Sequence, residues 1–239
     1  MAGSFAPGAD LQRSTSHAAW AGSVHDVTEP EVPVRVGFTA VLDTIDNRVA
    51  QLYALVNESL VAATDSFLSA DREEARFVVS RDDVIDDLKA EIEALVERTL
   101  LVEAPVARDF HRLVNALRIV PELERSGDLA EHIASRAAAG LGSSLTPAVR
   151  GLIEQLGQEV AVMWREAAAA WDRHDPAAAS HLGELDEGVN DLHTRLWSAL
   201  VEAGLPAEVT MEMALVARFY ERLGDHAKHV TQRVAPERS

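Results

Sequence analysis

The sequence predicts an all-α protein made of two tandem three-helix bundles related by a pseudo-two-fold axis, and three observations lead there. No glycine occurs between Phe38 and Ser126, and the apolar residues recur at alternating steps of three and four, the spacing of one helix face. A glycine- and serine-rich break from Ala139 to Thr146 divides the chain. The two halves also repeat each other. Asp82-Asp83-Val84-Ile85-Asp86-Asp87-Leu88 aligns with Asp186-Glu187-Gly188-Val189-Asn190-Asp191-Leu192, and Glu124-Arg125-Ser126-Gly127-Asp128 with Glu221-Arg222-Leu223-Gly224-Asp225.

Taken in order, residues 1–37 are expected to be a flexible tail, because Pro7, Pro30, Pro33, Gly3, Gly8 and Gly22 flank a Ser/Thr cluster at Ser14 to Ser16. This stretch has no basic start and no continuous apolar centre, so it does not read as a signal peptide. The first bundle spans residues 38–139. Leu42, Ile45, Val49, Leu52, Val56, Leu60, Ala63 and Phe67 form its first stripe, which ends at Asp71. Ile85, Leu88, Ile92 and Leu95 form the second, and a third helix starts near Pro105, a residue tolerated where no intrahelical partner is needed. The second bundle spans residues 146–235 and opens on Thr146-Pro147, a cap followed by a first-turn proline. Its first stripe is Val149, Ile153, Leu156, Val160, Met163, Ala167 and Ala170, closed by Asp175-Pro176. Leu182, Leu185, Val189, Leu192 and Leu196 make the next. Beyond Gly204 and Pro206 come Val209, Met213, Val216, Tyr220, Leu223, Ala227, Val230 and Val234.

Composition removes several classes of function. Of the 239 residues, 39 are acids against 22 Lys and Arg, a formal charge of −17, which repels phosphate backbones and anionic lipid. Nucleic-acid partners are therefore not expected. With no cysteine there is no disulfide framework, thiolate metal site or thiol nucleophile, and a cytosolic compartment fits. No stretch approaches the roughly 20 apolar residues that span a bilayer, so direct membrane insertion is not expected.

Two carboxylates four residues apart share a helix face and repel each other unless a cation lies between them. A single pair says little in so acidic a chain, but Glu-Arg-x-Gly-Asp recurs whole at the same place in both halves. Relative to the core stripe of the last helix, Glu221 and Asp225 fall more than about 100° away and are expected to face outward. Asp82, Asp86, Asp186 and Asn190 flank the second helix of each unit, where they look toward a groove shared with the third. Such sets of oxygen donors without sulfur suit Mg²⁺, Ca²⁺, Mn²⁺ or iron. Gly127 and Gly224 sit at the same step of both copies despite the cost of glycine inside a helix, which means close approach either of a neighbouring helix or of a bound ion. His132 and His229 extend each acid pair by one further turn, as surface histidines or as ligands.

At these residues the chain resembles the PhoU family of phosphate-uptake regulators, over about Phe38 to Val234. The resemblance rests on the duplicated bundle, on the segment Asp82 to Leu88, on Pro-Val-Ala-Arg-Asp at Pro105 to Asp109, and on Glu-Arg-x-Gly-Asp. It implies a cytoplasmic negative regulator that couples the ATPase of the phosphate ABC transporter to a sensor histidine kinase, with a homodimer as the expected assembly. It also implies metal-binding acidic motifs on outer helix faces, carried here by Asp82, Asp86, Glu124 and Asp128 in the first half. In the second half they are Asp186, Glu221 and Asp225, while Asn190 stands where the pair would have its second acid, an exchange expected to weaken that site. Pro121, just before Glu124, is expected to kink the third helix.

Two other readings compete. Carboxylate-bridged di-iron oxidases also use long bundles, but their Glu-x-x-His signature is missing, since no glutamate stands three residues before any of the nine histidines. A purely structural scaffold or dimerisation module needs none of the repeated acids and leaves them unexplained. A regulator of another transporter would share this pattern. Neither a glycine-rich phosphate loop nor a nucleophile with its base is present, so no enzymatic activity is expected.

Overall fold

The computed structural model describes residues 31–234, apart from positions 104 and 176. Seven α-helices succeed one another among these residues: α1 (Glu31–Ser69), α2 (Arg72–Ser80), α3 (Asp82–Val102), α4 (Ala107–Ala138), α5 (Pro147–Arg173), α6 (Ala178–Glu202) and α7 (Ala207–Val234). A short 3-10 turn, Leu141–Ser144, joins the halves, and the described residues contain no strand. The first helix begins earlier than the tail prediction allows. Pro33 stands in its first turn, where a missing N–H costs nothing, so the proline that reads as a breaker is compatible with a helix start. The remainder of the expected tail, residues 1–30, lies outside the described residues.

The repeat is visible in how helices end. After α1 the chain turns through Ala70 at φ 57, and after α5 it turns through His174 at φ 52, both left-handed. The next residue in each half is an aspartate that caps the ensuing backbone: Asp71 accepts from the Glu73 and Glu74 N–H groups at 3.0 Å, and Asp175 accepts from Ala177 N–H at 2.9 Å. Thr146 caps α5 as expected, with Pro147 at its first position. Past this turn the halves diverge. In the first, a separate helix α2 buries Ala75 and Val78, so that half has four helices rather than three.

Within each half the first, long helix packs against the last (α1 on α4, α5 on α7), and a flanking helix, α3 or α6, lies over both. The halves meet through α1 with α5 and α4 with α7, so the stripes fuse into one continuous core. Tyr53 and Trp164, both fully buried, meet across the α1–α5 contact with ring centroids 6.1 Å apart. Thr64 and Tyr220 share a buried hydrogen bond of 2.9 Å from α1 to α7. Two details of the stripes shift. Val96 rather than Leu95 completes the buried face of α3, and Leu185 and Val209 are only partly buried. Despite Pro121, α4 runs as one helix from Ala107 to Ala138.

Candidate functional site: two acidic grooves

The repeated acids gather into two grooves, one between α3 and α4 and one between α6 and α7. A glycine faces the flanking helix in each. A Cβ on Gly127 would lie 2.8 Å from Ile85 Cδ1 and 3.7 Å from Asp82 Oδ1; on Gly224 it would lie 3.4 Å from Val189 and 3.8 Å from Asp186 Oδ1. Of the two readings left open by the sequence, close approach of the neighbouring helix describes Gly127, where Ile85 and the first aspartate of α3 occupy the space a side chain would take, whereas Gly224 has room for a methyl group beside the first aspartate of α6.

In the first groove Asp82 and Asp86 on α3 confront Glu124, Asp128 and Glu131 on α4. Burial, reinforced by the charges of Asp128, Asp86 and Glu131, pushes the Asp82 carboxyl up to about 6. Asp128 is raised as well, first by burial and then by Glu124 and Asp86. One cation answers this crowd: Lys89 Nζ donates to Glu124 Oε1 at 2.9 Å, a bond that raises the lysine. In the second groove Asp186 on α6 confronts Glu221 and Asp225 on α7. Here Lys228 Nζ donates to Asp186 Oδ2 at 2.6 Å, Asn190 Nδ2 stands 3.5 Å from the same oxygen, and Arg218 pairs with Glu221. Burial raises Glu221, and Arg218 opposes that rise.

The expectation that Glu221 and Asp225 point to open solvent is corrected. The Glu221 side chain is 13% exposed and that of Asp186 only 7%. Because α7 is enclosed by α4, α5 and α6, an azimuth well away from its core stripe still falls inside a groove. His132 is exposed at the edge of the first groove, its ring 5.4 Å from Phe219 and its Nε2 3.8 Å from Glu131, and His229 is exposed as well.

Lys89 and Lys228 escape a reading of motifs, although composition holds a signal. They are the only lysines of the 239 residues, every other basic side chain being arginine or histidine, and one sits in each groove. Repeat matching hides them, because Lys89 aligns with His193 and Lys228 with Glu131.

The two donor sets differ in how they suit a hard cation. Among the described residues no three acids or histidines stand at metal-ligating spacing in either groove. The first groove nevertheless has hard oxygen donors, with five carboxylates and one ammonium, two of the acids held above their ordinary range by burial and then by mutual repulsion. The second does not fit. Each of its best-placed oxygens, on Asp186 and Glu221, already faces a cationic side chain, and an amide replaces its fourth acid.

The Pro105 to Asp109 segment lies away from both grooves. Arg108 and Asp109 line a cleft of about 630 Å³ with Leu42, His111, Arg112 and His174 at the end of the bundle where α4 begins. Arg112 is anchored there by Asp46, whose carbonyl also accepts from Trp171 Nε1 at 3.4 Å.

Comparison with known proteins places this geometry. The sequence model of the PhoU domain matches residues 49–137 and 153–234, one match per half. The chain is 31% identical over 206 residues to the phosphate-specific transport system accessory protein PhoU homolog 2 of Mycobacterium tuberculosis, covering 84% of this chain and 96% of that protein. Its fold is similar to the crystal structure of PhoU from Pseudomonas aeruginosa, with a TM-score of 0.76 and 25% identity over 82% of this chain and 96% of that one. The phosphate transport system regulatory protein PhoU of Streptococcus pneumoniae superposes with the same TM-score, 0.76, at 20% identity over 82% of this chain and 94% of that one.

Proposed function

Because the chain belongs to the PhoU domain family, we propose that it is an accessory regulator of phosphate transport that acts by contact rather than by chemistry. In this reading it is a cytoplasmic, homodimeric adaptor that links the ATPase of the phosphate ABC transporter to a sensor histidine kinase and restrains phosphate uptake and starvation signalling. The observation that carries the reading is the match of the PhoU domain to both halves, each of which presents its own acidic groove. Two further observations support it: no helix among the described residues is long and apolar enough to cross a membrane, and the formal charge of −17 disfavours nucleic acid.

The grooves supply the adjustable part. Asp82, Asp86, Glu124 and Asp128 would hold a divalent ion or iron in the first groove, and that ion would supply the charge neutralisation that one lysine cannot give to five carboxylates. The carboxylates line the flanks of α3 and α4, so an ion there would change the charge along the helix face a partner would touch. In the second groove Asp186, Glu221 and Asp225 form the matching surface.

Co-purification from the native cells tests the reading. The transporter ATPase and a histidine kinase are expected to co-purify, and changing Glu124, Asp128, Glu221 and Asp225 together to Ala is expected to abolish phosphate control while the variant stays helical. Normal phosphate control in that variant, or an association confined to other transporters, would overturn it.

A further inference from the structure

The second groove is built like the first but is already neutralised from within. Lys228 Nζ reaches Asp186 Oδ2 at 2.6 Å, and Asp186 is the most buried acid of either groove. Arg218 takes Glu221, and Asn190 replaces the acid that would complete the set. In the first groove the position equivalent to Lys228 is Glu131, an additional carboxylate. The two copies of the pattern therefore place opposite charges at one and the same step of the last helix.

We propose that the Lys228 ammonium is the resident cation of the second groove, standing where a hard metal ion would otherwise bind, so that only the first groove responds to metal. The chemistry is exclusion by a tethered competitor. A lysine whose bond to Asp186 is intramolecular need not be recruited from solution, and a divalent ion entering the same space must displace it and leave an ammonium beside the new charge. In the first groove Lys89 comes from α3, takes Glu124 at 2.9 Å and also feels Asp86, which leaves Asp82 and Asp128 without a lysine. One protein thus carries a metal-responsive copy and a permanently filled copy of the same site.

This inference builds on the metal reading of the first groove, and the experiment separates the two. Mn²⁺ binding to the full chain is followed by paramagnetic resonance and by thermal melting in wild type, K228M, K228M/N190D and K228M/D186N. Wild type is expected to bind one Mn²⁺ per chain, a site removed by D82N/D128N. K228M is expected to melt below wild type without metal and to recover with Mn²⁺. K228M/N190D is expected to gain a second ion at least tenfold more tightly than any second site of wild type, and K228M/D186N is expected to show neither gain nor rescue. A wild type that binds no Mn²⁺ overturns the metal reading of the first groove alone. A K228M/N190D chain with no added ion and no rescue, or a wild type that already binds two ions, overturns the present inference.

Discussion

In the groove between α3 and α4, five carboxylates share a single lysine contributed by the flanking helix; in the groove between α6 and α7, three carboxylates share a lysine and an arginine contributed by the last helix. Both inherit the same glycine, the same leading aspartate and the same Glu-Arg-x-Gly-Asp. They differ in where the cation comes from and how much charge is left over. In the first groove neighbouring carboxylates add to burial in raising the Asp82 and Asp128 carboxyls, whereas in the second Arg218 opposes the rise that burial imposes on Glu221. A duplicated scaffold thus keeps its geometry while its electrostatics diverge, since the geometry depends on a few packed positions and the charge on exposed flanks that are free to change.

The sharpest way to break this comparison is to remove each lysine. Lys228→Met leaves the nearly buried Asp186 without its principal partner and is expected to cost about 1–3 kcal/mol in urea unfolding, whereas Lys89→Met, which frees a more exposed Glu124, should cost under about 1 kcal/mol. Equal losses would mean the grooves are electrostatically alike. The glycines offer a second contrast. Gly224→Ala meets its neighbours at ordinary contact distance, so the gain in helix propensity should stabilise the protein by about 0.5–1 kcal/mol. Gly127→Ala pushes against Ile85 Cδ1 at 2.8 Å, and its gain should be smaller or reversed.

The pH response should separate the grooves as well. The folded-state value of Asp82, about 6, lies above its unfolded value, so the folded protein binds this proton more tightly. The stability tied to Asp82 is therefore fully present below its unfolded value of about 4 and is lost as pH rises through about 6, so stability rises as pH falls from about 6 to about 4. Metal-free melting should show a rise in stability over that window that Asp82→Asn abolishes and Asp225→Asn leaves in place. Metal affinity should run the other way, weakening as pH drops through 6, because the ion competes with the proton. The smallest effect is expected outside both grooves: Arg48→Ala breaks a surface pair with Glu91 at 3.0 Å and should change unfolding free energy by no more than about 0.5 kcal/mol.

How much of the molecule is legible in its sequence depends on whether a feature repeats. The buried stripes of α1, α5 and α7 are readable because their residues recur on one face, and the Thr146-Pro147 cap because its chemistry is local. The start of α1 is not, since Pro33 suits a helix start as well as a loop. Helix α2 escapes because nine residues with two buried side chains make too short a stripe to stand out. At the site, the acids are legible because both halves carry them. Lys89 and Lys228 are hidden for the converse reason: each belongs to one half only, and pairing across 35 and 42 residues leaves no spacing to read. The outward direction expected of Glu221 fails because an azimuth on one helix says nothing of how many neighbours enclose it.

The hydrogen bond between Thr64 and Tyr220 spans 156 residues of sequence and joins the first helix of one repeat to the last helix of the other. Together with the α1–α5 and α4–α7 contacts, it makes each repeat the covering partner of its sibling. A single repeat cut free at the Gly140 linker would expose the very surface that its sibling now protects, and the nearest complementary surface available would be that of an identical fragment. The present chain is, in this sense, a fused dimer, whose linker lets the two former subunits evolve separately without ever parting.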